Sequence, residues 1–89
     1  MGYTDKINAL KKDVRLGNIT AEKDMDSIII AGNTYKHSSF LKSQFKGTDL
    51  HWDKDREVWV LPLKSMYSGD IMRVEDCFEI EVSDDEIRK

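Results

Sequence analysis

Basic and hydroxyl-bearing side chains concentrate between residues 33 and 46, where binding chemistry is easiest to envisage. Three lysines lie between residues 36 and 47 with no acidic residue among them, and two serines share their side of a helix predicted over residues 35–46. Lysines neutralise phosphates, serine hydroxyls bond phosphate oxygens, and a helix start offers free N–H groups to an anion. The sequence therefore predicts a nucleic-acid-binding surface made of Asn33, Thr34, Tyr35, Lys36, Ser39, Lys42, Ser43 and Lys46.

Two neighbouring features extend this predicted surface. Lys54 and Arg56 lie in a polar turn between two predicted strands and add positive charge. If the side chain of Tyr35 or Trp52 is exposed beside the lysines, a base can stack on it, as in proteins that bind single strands. The plainer interpretations are that the lysines form an ordinary hydrated surface and that Trp52 and Trp59 lie in the core of a small domain.

The acidic C-terminal part of the chain supports an alternative. Residues 75–89 hold seven carboxylates against two basic residues. Such a cluster can imitate the phosphates of a nucleic acid and occupy a basic groove on a host nucleic-acid-processing enzyme, as small acidic phage inhibitors of restriction or CRISPR systems do. The residues predicted to act in this way are Glu75, Asp76, Glu79, Glu81, Asp84, Asp85 and Glu86. The plainer interpretation is a hydrated edge strand.

Catalytic and metal-binding motifs are absent from the sequence. It has no nucleophile elbow, no glycine-rich phosphate loop and no pair of metal ligands at helical spacing. His37, His51 and Cys77 are scattered, and His37 is predicted to be a hydrogen-bonded core residue. Glu79 and Glu81 are predicted to share one face of a strand as hydrated side chains. A non-enzymatic protein without metal or cofactor is therefore expected.

Composition indicates one domain in a reducing compartment. The chain has 89 residues, a net charge of −3 and a single cysteine. Its apolar runs, such as residues 28–31, are far too short for a membrane span, and no signal peptide is evident at its start. A cytoplasmic protein with no membrane partner is expected, in the host cytoplasm if a phage encodes it.

The first predicted element is an amphipathic helix over residues 3–16, within an N-terminal helical region 1–17. Tyr3, Ile7, Leu10 and Val14 recur at spacings of three and four residues and form one narrow apolar stripe. Gly17 is suited to the left-handed conformation that ends a helix. The stripe either packs on the domain's own sheet, which is favoured, or forms the seam of a homodimer.

The remaining pattern predicts an α+β fold in a single domain. A polar connector over 18–26 precedes a strand at 27–31, the helix at 35–46 and a hairpin over 49–62, whose second strand is apolar on both faces and so central. Thr34 or Asn33 is expected to cap the helix. Together, residues 27–62 are predicted to form a β-α-β-hairpin module, and C-terminal strands follow within residues 70–82. All these strands are expected to join one mainly antiparallel sheet. Residues 83–89 are predicted to form an acidic tail. The predicted core contains Ile29, Phe40, Leu41, Phe45, Trp59, Leu61, Phe78 and Ile80.

Residues 30–62 carry a pattern of short motifs. They are Gly32-Asn33-Thr34-Tyr35, Leu41-Lys42, Trp52-Asp53 and Trp59-Val60 followed by Pro62. This pattern resembles a short module of phage- and plasmid-borne bacterial proteins, some of which carry replication or primase-like domains. The chain departs from it at Lys36, where the module has proline, and over 46–49, where the module is rich in glycine. The resemblance implies a β-α-β-β unit and an origin in a mobile element; it implies no activity.

Overall fold

The computed structural model describes residues 2–82, with Tyr3 described by its backbone alone. It contains three helices and a four-stranded antiparallel sheet, which confirms the expected α+β single domain. The elements in chain order are α1 (Tyr3–Arg15), β1 (Ile19–Asp24), β2 (Ser27–Gly32), a 3₁₀ turn (Tyr35–His37), α2 (Ser38–Gln44), β3 (His51–Asp53), β4 (Val58–Pro62), a second 3₁₀ turn (Leu63–Ser65) and α3 (Ser68–Phe78).

The sheet has the strand order β1-β2-β4-β3. β3 and β4 form the predicted hairpin, and β4 lies between two neighbours, as its apolar character on both faces indicated. In the register, Ile30 pairs with Trp59, and Trp59 pairs with Trp52. Residues paired in this way point to the same side of a sheet, so one row of side chains runs from β2 to the edge strand β3.

The core lies between this face of the sheet and the helices. Ile28, Ile30, Trp59 and Leu61 are buried in one cluster with side chains of α1, α2 and α3. Phe40, Leu41, Phe45 and Phe78 are buried as predicted. Ile29 and Ile80 are only partly buried. The predicted inward face of β2 is thus wrong by one residue, since Ile28 and Ile30 point into the core and Ile29 does not. Three consecutive isoleucines give no alternation to indicate which of them point inward.

The apolar stripe of α1 packs inside its own domain. Ile7 and Leu10 are buried in the core, and Val14 packs against it. The helix lies against α3 and β1. It ends before Gly17, whose φ of +82° is the expected left-handed conformation.

The predicted connector over 18–26 is wrong, since most of it is β1. Its side chains are polar because β1 is an edge strand with little cover. Only Ile19 is fully buried, Ala21 is half-buried, and the remaining positions of the strand face water. Main-chain pairing with β2 from Ile19 to Asp24 forms the strand without an apolar pattern in its own sequence.

The predicted C-terminal strands within 70–82 are also wrong, because Ser68–Phe78 forms α3. Ile71, Val74 and Phe78 recur at helical spacing and are buried. The Asp70 carboxylate accepts a hydrogen bond from the Tyr67 N–H at 2.9 Å, which caps the start of the helix. Glu79 ends it with a φ of +57°, so Glu79 and Glu81 do not share a strand face.

Cys77 on α3 is fully buried, and burial raises the pKa of its thiol to about 11, with the charge of Asp76 acting in the same direction. Ellman's reagent needs a thiolate, so at pH 8 we expect the native protein to react at least about 100-fold more slowly than a free thiol. The same protein in concentrated denaturant should react at once. Equal rates in both conditions would contradict the buried position of Cys77.

Candidate nucleic-acid interface

One concave surface of the described chain is an aromatic cleft of about 270 Å³. It lies where β2 ends and α2 begins, against the β3–β4 hairpin. Tyr35 is 89% exposed and Trp52 is 45% exposed at this cleft, whereas Trp59 is only 6% exposed. The lining residues are Gly32, Asn33, Thr34, Tyr35, Ser38, Trp52 and Trp59.

The two tryptophans are positioned by the sheet register. Trp52 and Trp59 are direct cross-strand partners, with ring centroids 5.5 Å apart and planes inclined by 66°. Such edge-to-face packing is the favoured arrangement of aromatic rings. Trp59 lies on central β4 and is covered, while Trp52 lies on edge strand β3 and keeps nearly half of its surface open. The expectation that both are core residues is therefore wrong for Trp52.

Thr34 fixes the wall of the cleft instead of capping α2. Its side chain makes no cap hydrogen bond; its Oγ1 accepts from the Trp59 indole N–H at 3.1 Å, and the residue is buried. Asn33 is not the cap residue of either helical segment. The predicted capping is thus wrong, because the chain first forms the 3₁₀ turn Tyr35–His37 and α2 begins only afterwards.

Gly32 allows the chain to pass close to the Asn18 backbone before it forms the wall of the cleft. Its φ is +102°, and a Cβ built on it would lie 2.2 Å from the Asn18 carbonyl oxygen. The same carbonyl accepts the Asn33 N–H at 2.8 Å. Only glycine combines this backbone conformation with so close an approach of two chain segments. The course of residues 33–35, and with it the place of Tyr35, depends on that contact.

A buried carboxylate holds the turn that carries Tyr35. Asp13 Oδ2 lies 2.6 Å from His37 Nε2 and 3.3 Å from Lys36 Nζ, and Asn18 Nδ2 donates to Asp13 Oδ1 at 3.3 Å. The hydrogen bond to His37, followed by that from Asn18, lowers the pKa of the Asp13 carboxyl to about 2. Asp13 and His37 are both buried, which confirms the predicted core role of His37.

The lowered pKa of Asp13 predicts a pH dependence of stability. The ordinary value is 3.8, so between about pH 4 and pH 2 the unfolded chain binds more protons at this group than the folded chain. This stabilising contribution is present above pH 4 and is lost as the pH falls through 2. Urea denaturation from pH 5 to pH 2 should show the free energies of unfolding of wild type and Asp13→Asn converging on acidification. Asp26→Asn, in an exposed turn, is the control. A difference in free energy of unfolding between wild type and Asp13→Asn that stays constant with pH would contradict the prediction.

Lys42 gives the cleft a positive charge. Its Nζ lies 5.9 Å from the centroid of the Trp59 ring, within range of a cation–π interaction. Ser38, one helical turn earlier on α2, lines the cleft. None of the described residues lining it is acidic. A cleft of aromatic and neutral polar groups beside a cation suits an anionic ligand with an aromatic ring.

The other residues of the predicted Lys/Ser face lie on the opposite flank of α2. Lys36, Ser39 and Ser43 line concavities that they share with Lys6 of α1. Lys46 is exposed just beyond α2. The single face expected from a helical wheel is thus divided between two concave surfaces, because α1 packs beside α2 on one flank and the hairpin lies on the other.

The two basic residues of the hairpin turn do not line the cleft. Arg56 Nε donates to Asp53 Oδ2 at 2.8 Å, and this interaction lowers the pKa of the Asp53 carboxyl. The Arg56 guanidinium also lies 3.8 Å from Asp24. Lys54 and Arg56 are both exposed. They add positive charge near Trp52 in sequence, and the charge of Arg56 is already matched by two acids, Asp53 and Asp24.

The acidic residues predicted for the alternative function are partly paired with α1. Lys11 Nζ lies 3.1 Å from Asp76, and Arg15 Nε lies 3.0 Å from Glu79. Glu75 and Glu81 are exposed. Asp84, Asp85 and Glu86 lie outside the described residues. Part of the acidic character of α3 therefore complements the basic face of the helix beside it.

Residues 2–82 hold neither a metal-ligand cluster nor a membrane-spanning helix. Within this range, no group of three or more histidine, cysteine or acidic side chains is arranged to hold a metal ion. No helix in this part of the chain has the length and apolar character needed to cross a membrane.

Comparison with known protein families, curated proteins and solved structures gives no match to this chain. The resemblance of residues 30–62 to a phage- and plasmid-borne module therefore stays a prediction.

Proposed function

We propose that the protein binds single-stranded nucleic acid, with one base stacked in the aromatic cleft. The observation that carries this proposal is the presence of two exposed aromatic rings, Tyr35 and Trp52, at a concave surface beside Lys42 and without an acidic lining residue. Base–aromatic stacking combined with phosphate neutralisation is the usual way in which proteins hold single strands.

The cleft favours unpaired bases over a duplex. In a duplex the faces of the bases are stacked on one another, so an aromatic side chain reaches them only after a base has been unstacked. A single strand offers the face of each base without that cost. The polar groups of Asn33 and Ser38 at the cleft supply hydrogen-bonding partners for a base edge.

In this proposal, Lys42 binds the phosphate next to the stacked base. Its contact with the Trp59 ring orients the long side chain beside the cleft, and its ammonium group keeps donors for a phosphate oxygen. The net charge of −3 opposes non-specific binding, so affinity depends on this local arrangement.

The resemblance over residues 30–62 supports an origin in a phage or other mobile element. The role that we propose there is that of a non-enzymatic accessory protein in the cytoplasm of the host. The alternative, an acidic inhibitor of a host nucleic-acid-processing enzyme, would use exposed carboxylates such as Glu75 and Glu81. The pairing of Asp76 and Glu79 with α1 reduces the free negative charge on that side. The cleft is therefore the better-supported site.

Fluorescence anisotropy of labelled single-stranded and duplex DNA and RNA, at low and moderate salt, tests the proposal. Wild type is expected to bind single strands with micromolar affinity that falls with salt, and duplexes more weakly. Lys42→Glu should abolish this binding, whereas Lys12→Glu on the far side of α1 makes the same charge change away from the cleft. No binding at low salt would overturn the proposal, and capture of a host enzyme through the acidic residues would then favour the alternative.

A further inference from the structure

A second concave surface lies next to the aromatic cleft, on the other side of the start of α2. We call it the α1–α2 groove. It consists of two overlapping concavities of about 190 and 280 Å³ that share Lys6, Ser39 and Phe40. Lys36, Asp5 and Ala9 line one of them and Ser43 the other. The groove thus combines the buried ring of Phe40 with two serine hydroxyls, two ammonium groups and the single carboxylate of Asp5, so basic groups outnumber acidic ones.

A single ridge of main chain, which we call the crest, separates the groove from the aromatic cleft. Tyr35 lines the cleft and Lys36 the groove; Ser38 lines the cleft and Ser39 the groove. Because consecutive Cα atoms are about 3.8 Å apart, a ligand that leaves the cleft beside Tyr35 meets the groove directly. The crest is the 3₁₀ turn and the first turn of α2.

We propose that the α1–α2 groove receives the sugar–phosphate backbone of the strand whose base occupies the aromatic cleft. This inference rests on the proposed function and identifies the rest of its site. Lys6 and Ser43 contact phosphate oxygens, as lysine and serine do in nucleic-acid interfaces generally.

Lys36 is the contact at the crest. Its Nζ lies 3.3 Å from Asp13, while its side chain is 60% exposed. An ammonium group has three donors, so one of them can hold Asp13 while another meets a phosphate. Asp13, the buried carboxylate that holds the turn carrying Tyr35, therefore also holds Lys36, which lies where the strand passes from the cleft to the groove.

Lys6→Ala tests the groove, and Lys12→Ala is the matched control, since it removes the same charge from the same helix at a different concavity. Affinities of thymidine nucleotides from the monomer to the octamer are measured over a range of salt concentrations. We expect Lys6→Ala to weaken the octamer about 3- to 10-fold and to reduce the salt slope by about one, with the mononucleotide unaffected. Lys12→Ala should match wild type.

The outcomes separate the two proposals. Equal effects of Lys6→Ala and Lys12→Ala, together with loss of binding in Trp52→Ala, would overturn the groove and retain the cleft. An octamer that does not bind to the wild-type protein at all would overturn both. Loss of affinity in Lys6→Ala with full affinity in Trp52→Ala would overturn the cleft, and with it the path that we assign to the strand.

Discussion

Trp52→Ala is expected to weaken binding of a single-stranded oligonucleotide by about ten- to a hundredfold. Stacking of one base on an aromatic side chain contributes about 1–3 kcal/mol when measured by alanine substitution, and about 1.4 kcal/mol corresponds to a factor of ten. Trp52 is the largest exposed ring of the cleft, and its partner Trp59 is covered by the fold. The change is measured by anisotropy at a fixed, moderate salt concentration.

Two controls show that a loss of affinity comes from stacking. Trp52→Phe keeps a ring at the same place and should retain most of the affinity. Met72→Ala removes another exposed apolar side chain, one on α3 that does not line the cleft, and should bind like wild type. Thermal unfolding of each variant confirms that the fold is kept. Wild-type affinity in both Trp52 variants would contradict the role of the cleft.

Gly32→Ala is expected to lower the free energy of unfolding by about 2–4 kcal/mol. A non-glycine residue at positive φ costs of order 1–3 kcal/mol. The added Cβ would also lie 2.2 Å from the Asn18 carbonyl oxygen, which belongs to the backbone and cannot rotate away. Relief of this overlap displaces the Asn33 N–H from the same carbonyl, so the wall of the cleft moves and nucleic-acid affinity falls as well.

Gly47→Ala provides the matched control for this substitution. Gly47 has a φ of +92°, but a Cβ there meets no atom within 4 Å. It therefore incurs the backbone strain alone, about 1–2 kcal/mol. Urea denaturation of both variants measures the difference. Equal destabilisation by the two alanines would show that the approach of Gly32 to Asn18 carries no penalty, contrary to the structure.

The parts of the fold that the sequence predicts well are those whose own residues carry the pattern. The stripe of Ile7 and Leu10 identifies α1, and two apolar runs around a polar turn identify the β3–β4 hairpin. β1 escapes prediction because an edge strand needs few apolar residues once β2 supplies its main-chain partners. α3 escapes because Phe78, Ile80 and Val82 alternate like a strand, although the helix ends at Phe78.

The candidate site is predicted only in part, because it depends on contacts between segments distant in the chain. The lysines and serines near the start of α2 are by themselves residue types that nucleic-acid interfaces use. The cleft, in contrast, requires the pairing of Trp52 with Trp59 and the approach of Gly32 to Asn18. Neither contact has a signal within a short window of sequence. Lys6 is missed for the same reason, since only the packing of α1 beside α2 places it in the groove.

The most direct test of the central claim is a titration of ¹⁵N-labelled protein with a short oligothymidylate, followed by NMR. We expect the largest shifts to fall on the Trp52 indole N–H and on the backbone amides of Asn33, Tyr35 and Ser38, with the exposed face of α3 unaffected. Shifts confined to α3, or no shifts at millimolar oligonucleotide, would contradict a nucleic-acid site at the aromatic cleft.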